Sequence, residues 1–224
     1  MPRADLERPR GVLYFSRSRI LGAAQRGDSQ GMDESLEKAL LDMETHDQSV
    51  RAELTAAGDL NVTYDSRLEE IHRSNASRLR QIIAVFGWPG FALVGEKGAK
   101  AAWRIALHSI SEPPFMRQCR DLLDAASQAG DAPRWQYAII DDRIRVYEGR
   151  PQRYGTQLRT GPNGLEPHPI ENESRVNSMR MQAGLPPLAR TLAQARTQPQ
   201  PPVTDQAARD AAELEFRRSV GWIT

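Results

Sequence analysis

Leu36, Leu40, Met43, Val50 and Leu54 recur at spacings of three, four and seven, the period of one face of a helix and not of a strand. Asp33 stands where a capping residue belongs, and Glu34 and Glu37 suit the positive end of such a helix. Gly58 is placed to close it. A second stripe of Leu68, Ile71, Leu79, Ile82 and Phe86 starts near Asp65 and is cut by Gly87-Trp88-Pro89-Gly90. A third helix is expected from Ala99 to Ile110, beyond a loop holding Gly95 and Gly98, with Ala101, Ile105 and His108 along one side. Pro113-Pro114 forces a break. A fourth helix follows, with Phe115, Cys119, Leu122 and Ala126 inward, ending at Gly130.

Trp135 to Arg143 reads as helix, and then the period changes. Ile144 and Val146 alternate with Arg145 and Tyr147, which predicts a strand. After a turn at Glu148-Gly149-Arg150-Pro151, Gln152 to Leu158 is predicted as a returning strand, and Leu165 to Ile170 as a third short one. The expected class is α+β, a mainly helical bundle with a small antiparallel hairpin or three-stranded sheet. Two further helical pieces are expected over residues 173–183 and 187–195.

The organisation expected is a loosely ordered N-terminal arm over 1–31, a core domain over 32–196, a proline-rich linker over 197–203 and a C-terminal helix over 204–224. That last helix is amphipathic and suited to docking on the body or to a protein partner. A net charge of +1 lacks the basic excess of a nucleic-acid binder. No run of apolar residues is long enough to span a membrane. The single cysteine, Cys119, excludes an intramolecular disulfide and fits a cytoplasmic protein.

Three apolar stripes are interrupted by a polar residue: Asp47, Asn75 and His108. A buried polar group without a partner costs about 1–3 kcal/mol, so these three are expected to satisfy one another or to face a common polar site. Asp142-Arg143 falls at the predicted helix-to-strand junction, where functional side chains are often presented. In the following strand Gln152, Tyr154 and Thr156 share one face, and Gly155 marks a bulge or a close backbone approach.

Taken in order, Gly87-Trp88-Pro89, Val94-Gly95, Gly98-Ala99, Ala101-Ala102-Trp103, His108, Asp142-Arg143-Ile144, Gly149-Arg150-Pro151-Gln152, Tyr154-Gly155-Thr156-Gln157 and Gly184-Leu185-Pro186-Pro187-Leu188 form a pattern. It resembles a bacterial family known as domain of unknown function 6624. The resemblance implies a fold and a site region but no chemistry. It also implies a glutamine before the histidine, where this chain has Leu107.

The candidate site set is therefore His108 and Asp142 as catalytic groups, with Asp47, Asn75, Arg143, Gln152, Tyr154, Thr156 and Gln157 as ligand-binding groups. His108 titrates nearest neutrality and a carboxylate can orient it. Arg143 is the expected anchor for an anionic or amide-bearing small ligand. The chain carries no Gly-x-Ser-x-Gly elbow, phosphate loop or dinucleotide fingerprint, so no cofactor is expected. No metal is expected either, since His46 and His72 read as surface residues and His168 as a loop residue. The competing expectation is a non-catalytic interaction domain whose buried polar residues only fix its packing.

Overall fold

A computed structural model describes residues 32–57, 64–161, 164–198 and 205–224. The expected arm over 1–31, the helix stop at Gly58, the turn residues Pro162 and Asn163 and most of the proline-rich linker lie outside the described residues. The carboxylate of Asp33 accepts the backbone N–H groups of Ser35 and Leu36, each at 3.0 Å, and so starts α1, Glu34–Ala57. Asp65 does the same for α2, Ser66–Phe86, through Arg67 N at 2.8 Å. Gly87 stops α2 at φ 77°, a value that favours glycine.

α3 runs over Phe91–His108, earlier than its sequence pattern suggested, because Gly95 (φ 65°) kinks the chain without ending the helix. Pro113 and Pro114 open α4, Pro113–Gln128, where a missing N–H costs nothing. α1 packs along α3, and α4 packs along α5, Arg134–Tyr147. The core between them holds Leu40, Leu79, Val94, Ile105, Met116, Leu123, Ile140 and Ile144. Trp103 and Trp135 meet edge to face inside it at 4.9 Å, and the Trp103 indole donates to Gln136 O at 3.1 Å.

The predicted strand at Ile144–Tyr147 is instead the last turn of α5. The alternation there misleads because Arg145 is itself buried, its guanidinium bonded to Pro151 O and Glu171. Gln152 to Gln157 is irregular chain, touching sheet geometry only through a bridge from Gln152 to Ile170. The sheet is one antiparallel pair, β1 Leu158–Gly161 and β2 Gly164–Pro167, in register Leu158 to Pro167. Phe86 is exposed at 43%, so it does not extend the inner stripe of α2.

Short helices α6, Val176–Gln182, and α7, Leu188–Arg196, follow. α8, Gln206–Ser219, is capped by Asp205 and docks on the body. Phe216 meets Tyr64 edge to face at 5.1 Å, Arg217 donates to Tyr147 O at 2.7 Å, and the indole of Trp222 donates to Ile110 O at 2.6 Å. No described helix is long and apolar enough to cross a membrane. The fold is thus a mainly helical α+β domain, as its periodicities predict.

Candidate functional site

Three helices converge on one carboxylate. Asp47, on the inner face of α1, is 1% exposed, and its two oxygens face two imidazoles. Oδ1 stands 3.0 Å from Nε2 of His72 on α2, and Oδ2 stands 2.5 Å from Nδ1 of His108 at the end of α3. The Tyr64 hydroxyl closes the chain on Nδ1 of His72, with the two rings stacked at 5.7 Å. An ionised Asp47 only accepts, so both facing ring nitrogens carry hydrogen. The neutral His108 is left with a lone pair on Nε2. That nitrogen makes no hydrogen bond among the described residues, and the His108 side chain keeps 14% of its exposure.

The electrostatics follow from this arrangement. Burial works to raise the Asp47 carboxyl, but its hydrogen bonds and attraction to His108 and His72 outweigh that and hold it well below the usual carboxylate range. Burial pushes His108 down to about 4, against the hydrogen bond and charge of Asp47 and with help from His72 and Arg143. Burial also raises the Tyr64 hydroxyl. At neutral pH Asp47 is therefore ionised and His108 neutral.

His72 was expected at the surface and is 3% exposed. The inner face of α2 runs Leu68, His72, Asn75, Ala76, Leu79. The signal was present in the sequence, since His72 lies four residues after Leu68 and three before Asn75, on the same helical face. Asn75 turns away from the imidazoles. Its amide donates to Met43 O at 3.4 Å, and it lines a groove of about 410 Å³ between α1 and α2 with His46 and Glu70.

Asp142 is fully buried and committed to the loop that follows α5. Its oxygens accept the N–H groups of Arg153, Tyr154 and Thr156 and the Thr156 hydroxyl, at 2.7–3.1 Å. Burial raises its carboxyl while those donors pull it down. Asp47, not Asp142, thus takes the orienting position beside His108. Gln152 is likewise spent inside the loop, donating to Gln157 O and His168 O and accepting Gln157 N. The Tyr154 ring packs against Ala138 and Ala183. Arg180, which the sequence did not single out, is 1% exposed and bonds the carbonyls of Tyr154 and Pro186 and the Thr191 hydroxyl.

Arg143 connects the loop to the imidazoles. Its Nε donates to Gln157 Oε1 at 3.2 Å and its Nη1 to Leu107 O at 3.1 Å, one residue from His108. Gln157 in turn donates to the Thr156 hydroxyl at 3.1 Å. The side chain is partly buried with its guanidinium packed deep, and burial holds that group below its ordinary value. Cys119 is a sealed core thiol, raised by burial.

Asp47, His72 and His108 also have the donor types of a divalent-cation site, with one ligand atom from each lying within 4.8 Å of the others. Fold and site together define a mainly helical α+β domain with a histidine–aspartate–histidine cluster where three helices meet. The chain belongs to DUF6624, a family of unknown function, whose pattern covers residues 34–196. Among curated proteins and solved structures there is no match.

Proposed function

We propose that the protein binds a small anionic or amide-bearing ligand beside His108 and acts on it by general acid–base catalysis. Asp47 orients His108, Arg143 anchors the ligand's anionic group, and Gln157 fixes Arg143. Support comes above all from one contact: Asp47 Oδ2 holds Nδ1 of His108 at 2.5 Å, leaving Nε2 uncommitted. A neutral imidazole tethered on one nitrogen to a carboxylate can take a proton on the other and later return it. The lone thiol, Cys119, supports a place in the cytoplasm.

The test is a turnover panel of small esters, amides and phosphomonoesters at neutral pH. Wild type should convert at least one compound, and His108→Asn should lower kcat/KM by about 10²–10⁴-fold. Saturable binding without turnover, or turnover that His108→Asn leaves unchanged, overturns catalysis by His108.

A second reading is favoured by the proximity of the three ligand atoms. Here Asp47, His72 and His108 hold a divalent cation, which would polarise a bound substrate or water. Zinc or manganese titrated calorimetrically into chelator-treated protein separates the two. Stoichiometric binding that His72→Ala abolishes selects the metal; no heat of binding selects the acid–base pair.

A further inference from the structure

Four elements carry the candidate site toward one cleft. On α1 Arg51 lies one turn beyond Asp47, on α2 Leu68 lies one turn before His72, and on α5 Tyr147 lies one turn beyond Arg143. Ile110 follows His108 by two residues at the exit of α3. Residues four apart share a helix face and stand about 6 Å apart along its axis. Arg51, Leu68, Tyr147 and Ile110 all line a single cleft of about 810 Å³, together with Tyr64, whose hydroxyl bonds His72. The cleft therefore lies one helical layer from the carboxylate and its two imidazoles.

Its outer wall is α8, which spans the cleft without filling it. No residue of α8 is buried, and from Gln206 to Glu213 it makes no hydrogen bond or ion pair to the body among the described residues. Its hold lies at the other end, through Phe216, Arg217 and Trp222. Several charged groups of the wall are answered within the protein. Asp65 caps α2, Arg159 pairs with Glu166 at 2.9 Å, and Asp210 accepts the Gln206 amide at 2.7 Å. Two buried polar atoms of the wall are not answered. Nε of Arg51, a donor, and Oε1 of Gln206, an acceptor, have no hydrogen-bond partner, and both residues line the cleft. Buried polar atoms are seldom left unpaired, so a donor and an acceptor orphaned in one cleft call for a partner from outside the chain.

We infer that this cleft holds the body of the ligand, and that the ligand is an N-acyl amino acid with an apolar side chain. A secondary amide supplies both missing partners, a carbonyl for Arg51 Nε and an N–H for Gln206 Oε1. An ester or a carboxylate brings no donor and leaves Gln206 Oε1 unpaired. The apolar side chain packs on Tyr64, Ile110 and Tyr147. The inference rests on the preceding reading for the anionic end at Arg143 and the reacting end at His108. Occupancy of the cleft is measured without turnover and so is tested apart from catalysis.

The experiment uses the full chain and two probes, N-acetylphenylalanine and O-acetylphenyllactate, which differ only in the amide N–H. Calorimetry and saturation-transfer NMR read their binding. N-acetylphenylalanine should bind saturably, and the ester should bind about tenfold more weakly, because a site built around a donor leaves its acceptor unpaired without one. Gln206→Met should bind the two probes alike. Ala212→Trp sets an indole into the cleft from α8 and should abolish binding of both; Thr160→Trp does the same from the opposite wall should Ala212→Trp not fold. No binding of the amide, equal binding of amide and ester by wild type, or a folded cleft-filling variant that binds like wild type would each overturn the inference. Binding with the expected preference but no turnover keeps the cleft and removes catalysis by His108. Turnover of a panel compound that the cleft-filling variants leave unchanged keeps catalysis and removes the cleft.

Discussion

Asp47 and His108 lie 61 residues apart in the chain and 2.5 Å apart in space, with His72 on the other oxygen of the same carboxylate. The aspartate is the only anion in direct contact with either imidazole among the described residues. Replacing it with asparagine keeps the shape but turns one acceptor into a donor, so one imidazole N–H then faces an N–H. Hydrogen bonds to charged groups contribute about 1.5–3 kcal/mol each. Asp47→Asn should therefore cost about 3 kcal/mol in urea unfolding, and a variant within 0.5 kcal/mol of wild type (about the size of an ordinary surface substitution) would contradict the network.

His108 carries a pH signature with a definite sign. Its folded-state value is pushed down to about 4, below the ordinary 6.5, so the unfolded chain binds this proton first. The stabilisation is complete above pH 6.5 and is lost as pH falls toward 4. Asp47, also depressed, adds a further loss below its ordinary 3.8. Tm against pH should slope more steeply between pH 6.5 and 4 in wild type than in His108→Asn. Parallel curves would place the titration elsewhere.

Much of this arrangement can be read from the sequence, for physical reasons. Asp47 and His108 stand out because a polar group in an apolar stripe must find a partner, and they find each other. α1 to α4 are legible because their apolar periods are cut by proline and glycine. His72 is not legible by polarity alone, since a histidine on an amphipathic helix looks like solvent face until its partner is known. Arg145 defeats the strand–helix distinction because both of its neighbours and its own side chain are inside. Adjacent residues Asp142 and Arg143 look like one functional unit, yet they point into different work. One ties down the 153–156 loop and the other reaches the carbonyl before His108. Nothing local in the sequence tells which way a helix end will turn its side chains.

Gly155 sets the shape of that loop. It sits at φ 66°, and a Cβ there would stand 3.1 Å from Leu188 Cδ1 and 3.2 Å from Ile170 Cδ1. A left-handed conformation costs an L-residue about 1–2 kcal/mol before any crowding. Gly155→Ala should lower stability by at least about that amount and loosen the N–H groups of Tyr154 and Thr156 that Asp142 accepts. Hydrogen exchange at those two amides, against wild type, is the measurement. Unchanged protection would show that the loop tolerates another backbone path.

Cys119 is fully buried, and burial raises its thiol. A disulfide reagent needs thiolate and access, and the folded protein offers neither. Native protein should react with such a reagent only at the rate of global opening, while protein in denaturant should react at once. Fast stoichiometric labelling of the native form would remove Cys119 from the core.

The C-terminal helix is held at its far end by Trp222. That ring is 4% exposed, its indole donates to Ile110 O at 2.6 Å, and it lies between Tyr147 at 5.4 Å and the Arg117 guanidinium at 4.9 Å. Six residues earlier Phe216 touches Tyr64, the residue that bonds His72. Losing a buried Trp side chain costs about 3–5 kcal/mol where the site cannot collapse. Here the cost can be met by releasing one helix, because α8 follows the family-matched segment and closes the cleft over Arg51 and Tyr147. Trp222→Ala should therefore make residues 205–224 sensitive to protease while residues 34–196 stay resistant. The same change should make Tyr64 more exposed, visible as increased fluorescence quenching at its position in a Tyr-selective probe or as faster exchange around residues 64–68. Proteolysis spread evenly over the chain would instead mean that Trp222 belongs to the common core and that α8 cannot leave without it.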